Sequence, residues 1–219
     1  MDVDEPLLSV LRFSSLGADA DVIYTCTCLH ERFLAAGTSD GFVLLFELGG
    51  RLRRRWKAHR DRVLSIFADE SGLFVGTVGA DGLVVSWSVT SDDHFQQPAP
   101  HAPRTAAFAP DYARSASRRL CVGNASGNAF NISTSPSFGG ERQVHFSVVG
   151  EGPIRCVAWC GPLVALATTA RVYIKDVEAN GTTRLRFCGT LRTTCVFSAF
   201  LPQLLSFVMN LRVGPLTRP

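Results

Sequence analysis

The clearest pattern along the chain is a pair of apolar runs separated by a tight turn of small residues, as in "LAAGTSDGFVLLFEL" (34–48). The same arrangement aligns without gaps at "FVGTVGADGLVVSWSV" (74–89), "RLCVGNASGNAFNIS" (119–133) and "LVALATTARVYIKDV" (163–177). Within the runs apolar and polar positions alternate: Val84, Ser86 and Ser88 oppose Val85, Trp87 and Val89. That two-residue period belongs to half-buried β-strands, and no helical period competes with it over these segments. The turn positions are Asp40-Gly41, Asp81-Gly82, Ser126-Gly127 and Thr169-Ala170, and their second residues lie 41, 45 and 43 residues apart.

A repeat in the low forties with two central strands per unit predicts the four-stranded blades of a WD-repeat β-propeller. The fold expected is therefore all-β: an incomplete propeller of about four blades plus part of a fifth. Residues 21–190 hold the blades, 1–20 a closing strand, and 191–219 a divergent segment that could start the fifth blade. "GEGPIRCVAWCG" (150–161) falls where the fourth unit's innermost strand belongs, with Ile154, Cys156 and Ala158 on one face and Arg155, Val157 and Trp159 on the other. "TSDDHFQQPAPHAPRT" (90–105), rich in Pro, Gln and His, reads as a flexible insertion between blades.

By resemblance to WD repeats, in which a hydrogen-bonded His, Ser/Thr, Asp and Trp set ties a blade's first loop to its central strands, these roles fall on His59, Thr77, Asp81 and Trp87. A carboxylate in the turn orients the imidazole, which can accept from a hydroxyl or indole donor. A catalytic dyad of His59 and Asp81 is the competing reading, but the structural set accounts for all four residues together. The other three units lack the full set.

Charge adds one feature. "RLRRRWKAHR" (51–60) places Arg51, Arg53, Arg54, Arg55, Lys57 and Arg60 around Trp56, on an outer strand and the loop after it. Such a run keeps an edge strand from pairing with another chain; alternatively it contacts anionic lipid or an acidic partner. One aromatic in a single run is a poor match to a nucleic-acid groove, and a net charge of +3 does not by itself imply one. With 46% hydrophobic and 19% charged residues the chain is globular.

Seven cysteines, an odd number with no C-x-x-C pair, argue against a disulfide framework and a zinc ribbon and for a reducing compartment. Cys26, Cys28 and His30 share one strand face, but no fourth ligand lies near, so no metal is expected there. Cys156 and Cys160 read as small core residues. The acidic start lacks the features of a secretory signal, so the sequons at Asn124, Asn131 and Asn180 carry little weight. The apolar window 195–211 is short for a membrane span and is interrupted by Pro202, Gln203 and Asn210.

Beyond the generic blade, "HERFLAAGTSDGFVLLFEL", "DESG" (69–72), "PDYARSASRRLCVG" (110–123) and "GEGPIRCVAWCGPLVAL", continuing into "ARVYIKDVE", resemble the N-terminal propeller of the vacuolar protein sorting-associated protein 41 family, whose members are subunits of the HOPS tethering complex. The similarity covers roughly residues 5–189. It implies a non-enzymatic protein with a propeller, a long α-solenoid and often a RING-like module. Such a protein bridges late endosomes or lysosomes to the vacuole before SNARE-driven fusion, and also serves secretion and adaptor-dependent transport. The partners implied are other HOPS subunits, a late-endosomal Rab GTPase reached directly or through a subunit, and an adaptor complex. No nucleic acid or cofactor is implied, and the location is cytoplasmic, peripheral on late endosomal, lysosomal or vacuolar membrane. The family has no fixed catalytic motif to carry over. The sequence stops before any solenoid, which suggests a fragment or a truncated gene product. A generic WD-repeat scaffold in another cytosolic complex is the alternative. A propeller enzyme is a weaker one, since no G-x-S-x-G, P-loop or HExxH motif occurs.

Overall fold

The alternating runs fold as hairpins because each buries one row of side chains while its backbone pairs with the next strand. The computed structural model describes residues 23–99, 101–133, 143–147, 150–177 and 183–190. The first sheet is formed by β1 (Tyr24–His30), β2 (Phe33–Thr38), β3 (Phe42–Phe46) and β4 (Leu52–Lys57). The second comprises β5 (Val63–Ala68), β6 (Phe74–Gly79), β7 (Leu83–Ser88) and β8 (His94–Pro98). The third comprises β9 (Pro103–Phe108), β10 (Arg119–Asn124), β11 (Asn128–Ser133) and β12 (Gln143–Ser147). The fourth comprises β13 (Cys156–Cys160), β14 (Leu163–Ala167), β15 (Arg171–Val177) and β16 (Thr183–Thr190).

Each sheet is an antiparallel meander whose strands lie in chain order, and together the four are blades of an incomplete β-propeller. The four repeated segments are the central hairpins β2–β3, β6–β7, β10–β11 and β14–β15. Their turns use glycine where the backbone needs a positive φ, at Gly41, Gly82 and Gly127. The expected closing strand (1–20) and the divergent segment (191–219) lie outside the described residues.

The core lies between blades rather than within them. Phe33, Val43, Leu45 and Trp56 of the first blade pack with Val63, Ile66, Val75 and Val89 of the second. Phe67, Val78 and Val84 meet Phe108, Tyr112, Leu120 and Ile132 across the next junction. Cys121 and Ala129 meet Ile154, Val157, Leu166 and Tyr173 across the last. Two glycines let neighbouring blades approach closely. A Cβ on Gly37 would lie 2.8 Å from the Val63 side chain, and one on Gly123 would lie 2.6 Å from Ile154.

Tyr112 accounts for part of the "PDYARSASRRLCVG" string. It is fully buried in the loop after β9, its ring 4.0 Å from that of Phe108 and 5.3 Å from that of Phe74. Its hydroxyl donates to Ser86 Oγ at 2.9 Å, tying the third blade to the second.

The structure corrects two expectations. The described part of 90–105 is mostly strand rather than a flexible insertion: β8 pairs along β7 from Leu83↔Pro98 to Trp87↔His94, and β9 starts at Pro103. An outer strand pairs on one side only, so it tolerates Pro98 and needs no apolar row. Ile154 also does not share a face with Cys156 and Ala158. It precedes β13, donates its N–H to the Asn124 carbonyl at 3.0 Å, and packs with Val157 and Trp159. Strict alternation starts only at Cys156, whose face carries Ala158 and Cys160.

Candidate functional site

The segment between β4 and β5 carries His59 over the turn of the first blade. Ala58 and His59 both donate their N–H to the Gly41 carbonyl at 3.1 Å. That contact buries the imidazole, which is 2% exposed, and aims it at the second blade. His59 Nδ1 lies 3.0 Å from Asp81 Oδ1, and Nε2 lies 2.9 Å from Thr77 Oγ1. A carboxylate only accepts, so Nδ1 carries the proton and Nε2 accepts from the threonine hydroxyl. Asp81 is held in turn by the N–H groups of Arg60 (2.9 Å) and Leu83 (3.1 Å). Burial pushes the His59 pKa below its ordinary value, against the opposing pull of Asp81. The outcome is a neutral ring whose two nitrogens are both engaged within the protein.

Trp87 does not join this hydrogen-bond network. Its Nε1 is buried without a hydrogen-bond partner among the described residues. Trp87 pairs with Val75, two positions from Thr77 along β6, whereas Thr77 pairs with Val85. The indole instead stacks between Trp56, 5.4 Å away, and His94, 4.4 Å away. Three of the four residues singled out in the sequence are therefore hydrogen-bonded together, and the fourth is held by aromatic contact.

Other residues tie the turns of the remaining blades. Thr38 Oγ1 donates to Asp40 Oδ1 at 2.5 Å and accepts from the Phe42 N–H at 2.9 Å. Buried Asn124 accepts at Oδ1 from Ser126 N (3.0 Å) and Asn128 N (2.8 Å). Its side chain is thus enclosed in its turn and closed to a glycan. Thr168 Oγ1 accepts from Ala170 N and Arg171 N at 3.2 and 3.0 Å. A short polar residue two positions before the turn dipeptide is the signal that marks Thr38 and Asn124.

The basic run is divided by its strand. β4 pairs with β3 through Phe42↔Lys57, Val43↔Trp56, Leu44↔Arg55 and Leu45↔Arg54, with a bulge at Arg53. Arg54, 22% exposed, faces the second blade, donating to the carbonyls of Val89 (3.3 Å) and Ser91 (2.7 Å) and to the Asp92 carboxylate. Arg55 and Lys57 lie on the opposite face, 4.0 and 4.7 Å from the Phe42 ring, and Lys57 also donates to the Asp40 carbonyl. Arg51 forms a two-point pair with Glu47 at 2.7 and 3.1 Å. Arg53 and Arg60 are exposed and make no side-chain hydrogen bond or salt bridge among the described residues, although Arg53 lies close enough to Glu47 to act on its charge. The run is thus not one uniform patch: Arg54 is committed to the fold, and the other cations spread over two faces and a loop.

Cys26, Cys28 and His30 do share a face of β1, but the two thiols pack on the apolar cluster between the first blades. Burial raises each of these thiols to about 11, that of Cys156 to about 11, and that of Cys121 to about 12. They are protonated at neutral pH and poor nucleophiles. His30 is taken up by Arg32 N (3.2 Å) and the Glu70 carbonyl (3.3 Å). No group of three or more potential metal ligands occurs among the described residues, nor does a helix long and apolar enough to cross a membrane.

Comparison with known proteins bears on what these blades belong to. The family model for the Vps41 propeller, whose description reads "Vps42 beta-propeller", matches residues 18–186. The vacuolar protein sorting-associated protein 41 homolog of Arabidopsis thaliana is 30% identical over 200 residues, 89% of this chain and 20% of that protein. The homolog of Solanum lycopersicum is 34% identical over 165 residues, 75% of this chain and 17% of that one. The human homolog is 29% identical over 153 residues, 70% of this chain and 17% of its own length. The chain therefore spans about a fifth of the length of these relatives. Among solved structures, the β-propeller domain of Cps50 (Swd1) from Myceliophteria thermophila superposes with a TM-score of 0.64 at 15% identity, over 80% of this chain and 59% of that one. U3-55K superposes with a TM-score of 0.62 at 12% identity, over 76% of this chain and 52% of that one. These two establish the fold alone.

Proposed function

We propose a function from one premise: this chain belongs to the Vps41 β-propeller family. It acts as a non-catalytic interaction module, the propeller portion of a HOPS-type subunit in vesicle-mediated protein transport. The observation that carries this reading is the family match across residues 18–186, which spans nearly all of the four described blades. The chemistry agrees with it. His59 and Asp81, the residue pair most like a catalytic dyad, have their hydrogen-bonding capacity turned inward, to Thr77 and to the backbone of Arg60 and Leu83. His59, Thr77 and Asp81 lock the second blade to the turn of the first, and Trp87 backs them by stacking.

In this role the propeller presents loops and blade edges to partners: other HOPS subunits, a late-endosomal Rab GTPase and an adaptor complex. The protein is peripheral on late endosomal, lysosomal or vacuolar membrane. Arg51, Arg53, Arg55, Lys57 and Arg60 offer positive charge to an anionic surface there, while Arg54 holds two blades together.

The test is affinity purification of the tagged gene product from its own cells, with mass spectrometry of what accompanies it. Recovery of HOPS subunits, together with co-fractionation on endolysosomal membranes, is the expected result. A product that purifies without any of them and stays off those membranes overturns the reading.

A further inference from the structure

The four outer strands differ in how they meet the strand inside them. The pairings of β4, β12 and β16 are each broken by a shift in register, whereas β8 follows β7 without interruption from Leu83↔Pro98 to Trp87↔His94. A bulge twists an edge strand away from incoming chains, and charged side chains on it deter pairing. β4 combines its bulge with Arg53, Arg54, Arg55 and Lys57, but β8 has neither a bulge nor any Asp, Glu, Lys or Arg. Its His94, Gln96 and Pro98 are exposed, and Phe95 and Gln97 are half-buried.

Backbone bonds just beyond the two ends of β8 fix which of its groups point outward. Ser88 donates its N–H to the Asp93 carbonyl at 2.9 Å, and Ala99 donates its N–H to the Gly82 carbonyl at 2.9 Å. Bonded pairs alternate along an antiparallel ladder, so Asp93, Phe95, Gln97 and Ala99 turn their amides and carbonyls toward the inner strand. His94 and Gln96 lie between them and turn theirs outward. That edge presents two donors and two acceptors that no described residue takes up. Such unpaired groups are a template for another strand.

We propose that β8 is a self-association edge, on which a second copy of this chain adds its own β8 antiparallel, about a two-fold axis at Phe95. In that register His94 of each copy lies opposite Gln96 of the other, and four backbone bonds satisfy every outward group of both strands. The two Phe95 side chains become direct cross-strand neighbours, and no charge within the strand meets its like. The occupant is a copy because the strand is its own complement in this one register. An axis at His94 sets Gln96 against Asp92, which lies outside the strand, and an axis at Gln96 sets His94 against Pro98, which has no amide to give. One strand pair falls short of the roughly 1,200–2,000 Å² of a stable complex, so the association is weak and reversible. It rests on backbone geometry and not on the trafficking role.

The experiment follows sedimentation of the 219-residue chain across concentration, where a monomer–dimer equilibrium on the order of 100 µM is expected. Gln96→Pro removes an outward amide and none of the bonds to β7, and should weaken dimerisation at least about tenfold. Phe95→Lys sets like charges opposite each other and should weaken it as much, which serves if the proline disturbs the strand. Phe95→Cys brings two thiols across a pair whose Cα atoms stand about 4.5 Å apart, and should cross-link on mild oxidation far more than Gln97→Cys. A chain that stays monomeric throughout overturns the proposal. So does a dimer that survives both Gln96→Pro and Phe95→Lys, since another surface then holds the copies together, or equal cross-linking through the two cysteines. Failure here leaves the subunit purification unaffected, and the two ideas can fall separately.

Discussion

Gly79 faces the imidazole of His59 so closely that a Cβ there would lie 2.2 Å from Nδ1 and 2.4 Å from Asp81 Oδ1. The absence of a side chain at Gly79 is what lets the histidine and the aspartate meet. Gly79→Ala is therefore expected to destabilise the chain by about 2–3 kcal/mol through overpacking. Gly82→Ala, at φ +82 with nothing near its Cβ, should cost only the backbone penalty of about 1–2 kcal/mol. Urea unfolding midpoints of the two variants order these effects, and a milder Gly79→Ala sinks the argument.

The neutral state of His59 gives stability a pH dependence of definite sign. Its folded pKa is lowered, chiefly by burial, so the unfolded chain takes up a proton first as the pH falls. The contribution is complete above about pH 6.5, the unfolded value, and is lost as pH falls through the folded pKa. The thermal midpoint should drop on acidification below that point, and His59→Gln should flatten the drop while lowering the midpoint at neutral pH. Parallel curves for the two proteins would refute the assignment.

Arg54 and Asp92 are a pair of unequal members, the first 22% and the second 96% exposed at the side chain. Arg54→Ala removes donors to two backbone carbonyls as well as to Asp92 and should cost about 1–3 kcal/mol. Asp92→Ala gives up only a solvated charge pair, worth about 0–1 kcal/mol. Chemical denaturation of both variants tests this, and equal losses would place the stabilisation in the ion pair instead.

The hydroxyl of Tyr112 is a polar link between the second and third blades. Tyr112→Phe should lower stability by about 1 kcal/mol, and Ser86→Ala by a similar amount. In the double variant the losses should fall short of their sum, since both single changes break one bond. Full additivity in a double-mutant cycle would show the bond to be energetically idle.

The sequence revealed the central hairpins because both neighbours of each hairpin are protein, and burial on two faces writes a strong apolar pattern. The outer strand β8 was illegible because His94–Pro98 pairs only with β7 and needs no such pattern. The His59–Asp81–Thr77 node was legible from one unit, where every donor and acceptor is a characteristic residue type. The equivalent ties at Thr38, Asn124 and Thr168 were not, since any short side chain with an acceptor oxygen can close a turn. The resemblance to WD repeats implied that Trp87 joins the hydrogen-bonded set, but strand register sets it opposite Val75, two positions from Thr77.

Because Val63 fills the space at Gly37, and Ile154 that at Gly123, the first and third blades do not own finished interiors. During synthesis each of the first three blades must wait for the first strand of its successor before its apolar face is covered. The nascent chain therefore travels with a one-blade sticky end that moves forward as translation proceeds, and a pause anywhere exposes only the latest junction. The same rule lets units be gained or lost in evolution at little cost elsewhere, provided the new neighbour brings a bulky residue to the vacant glycine.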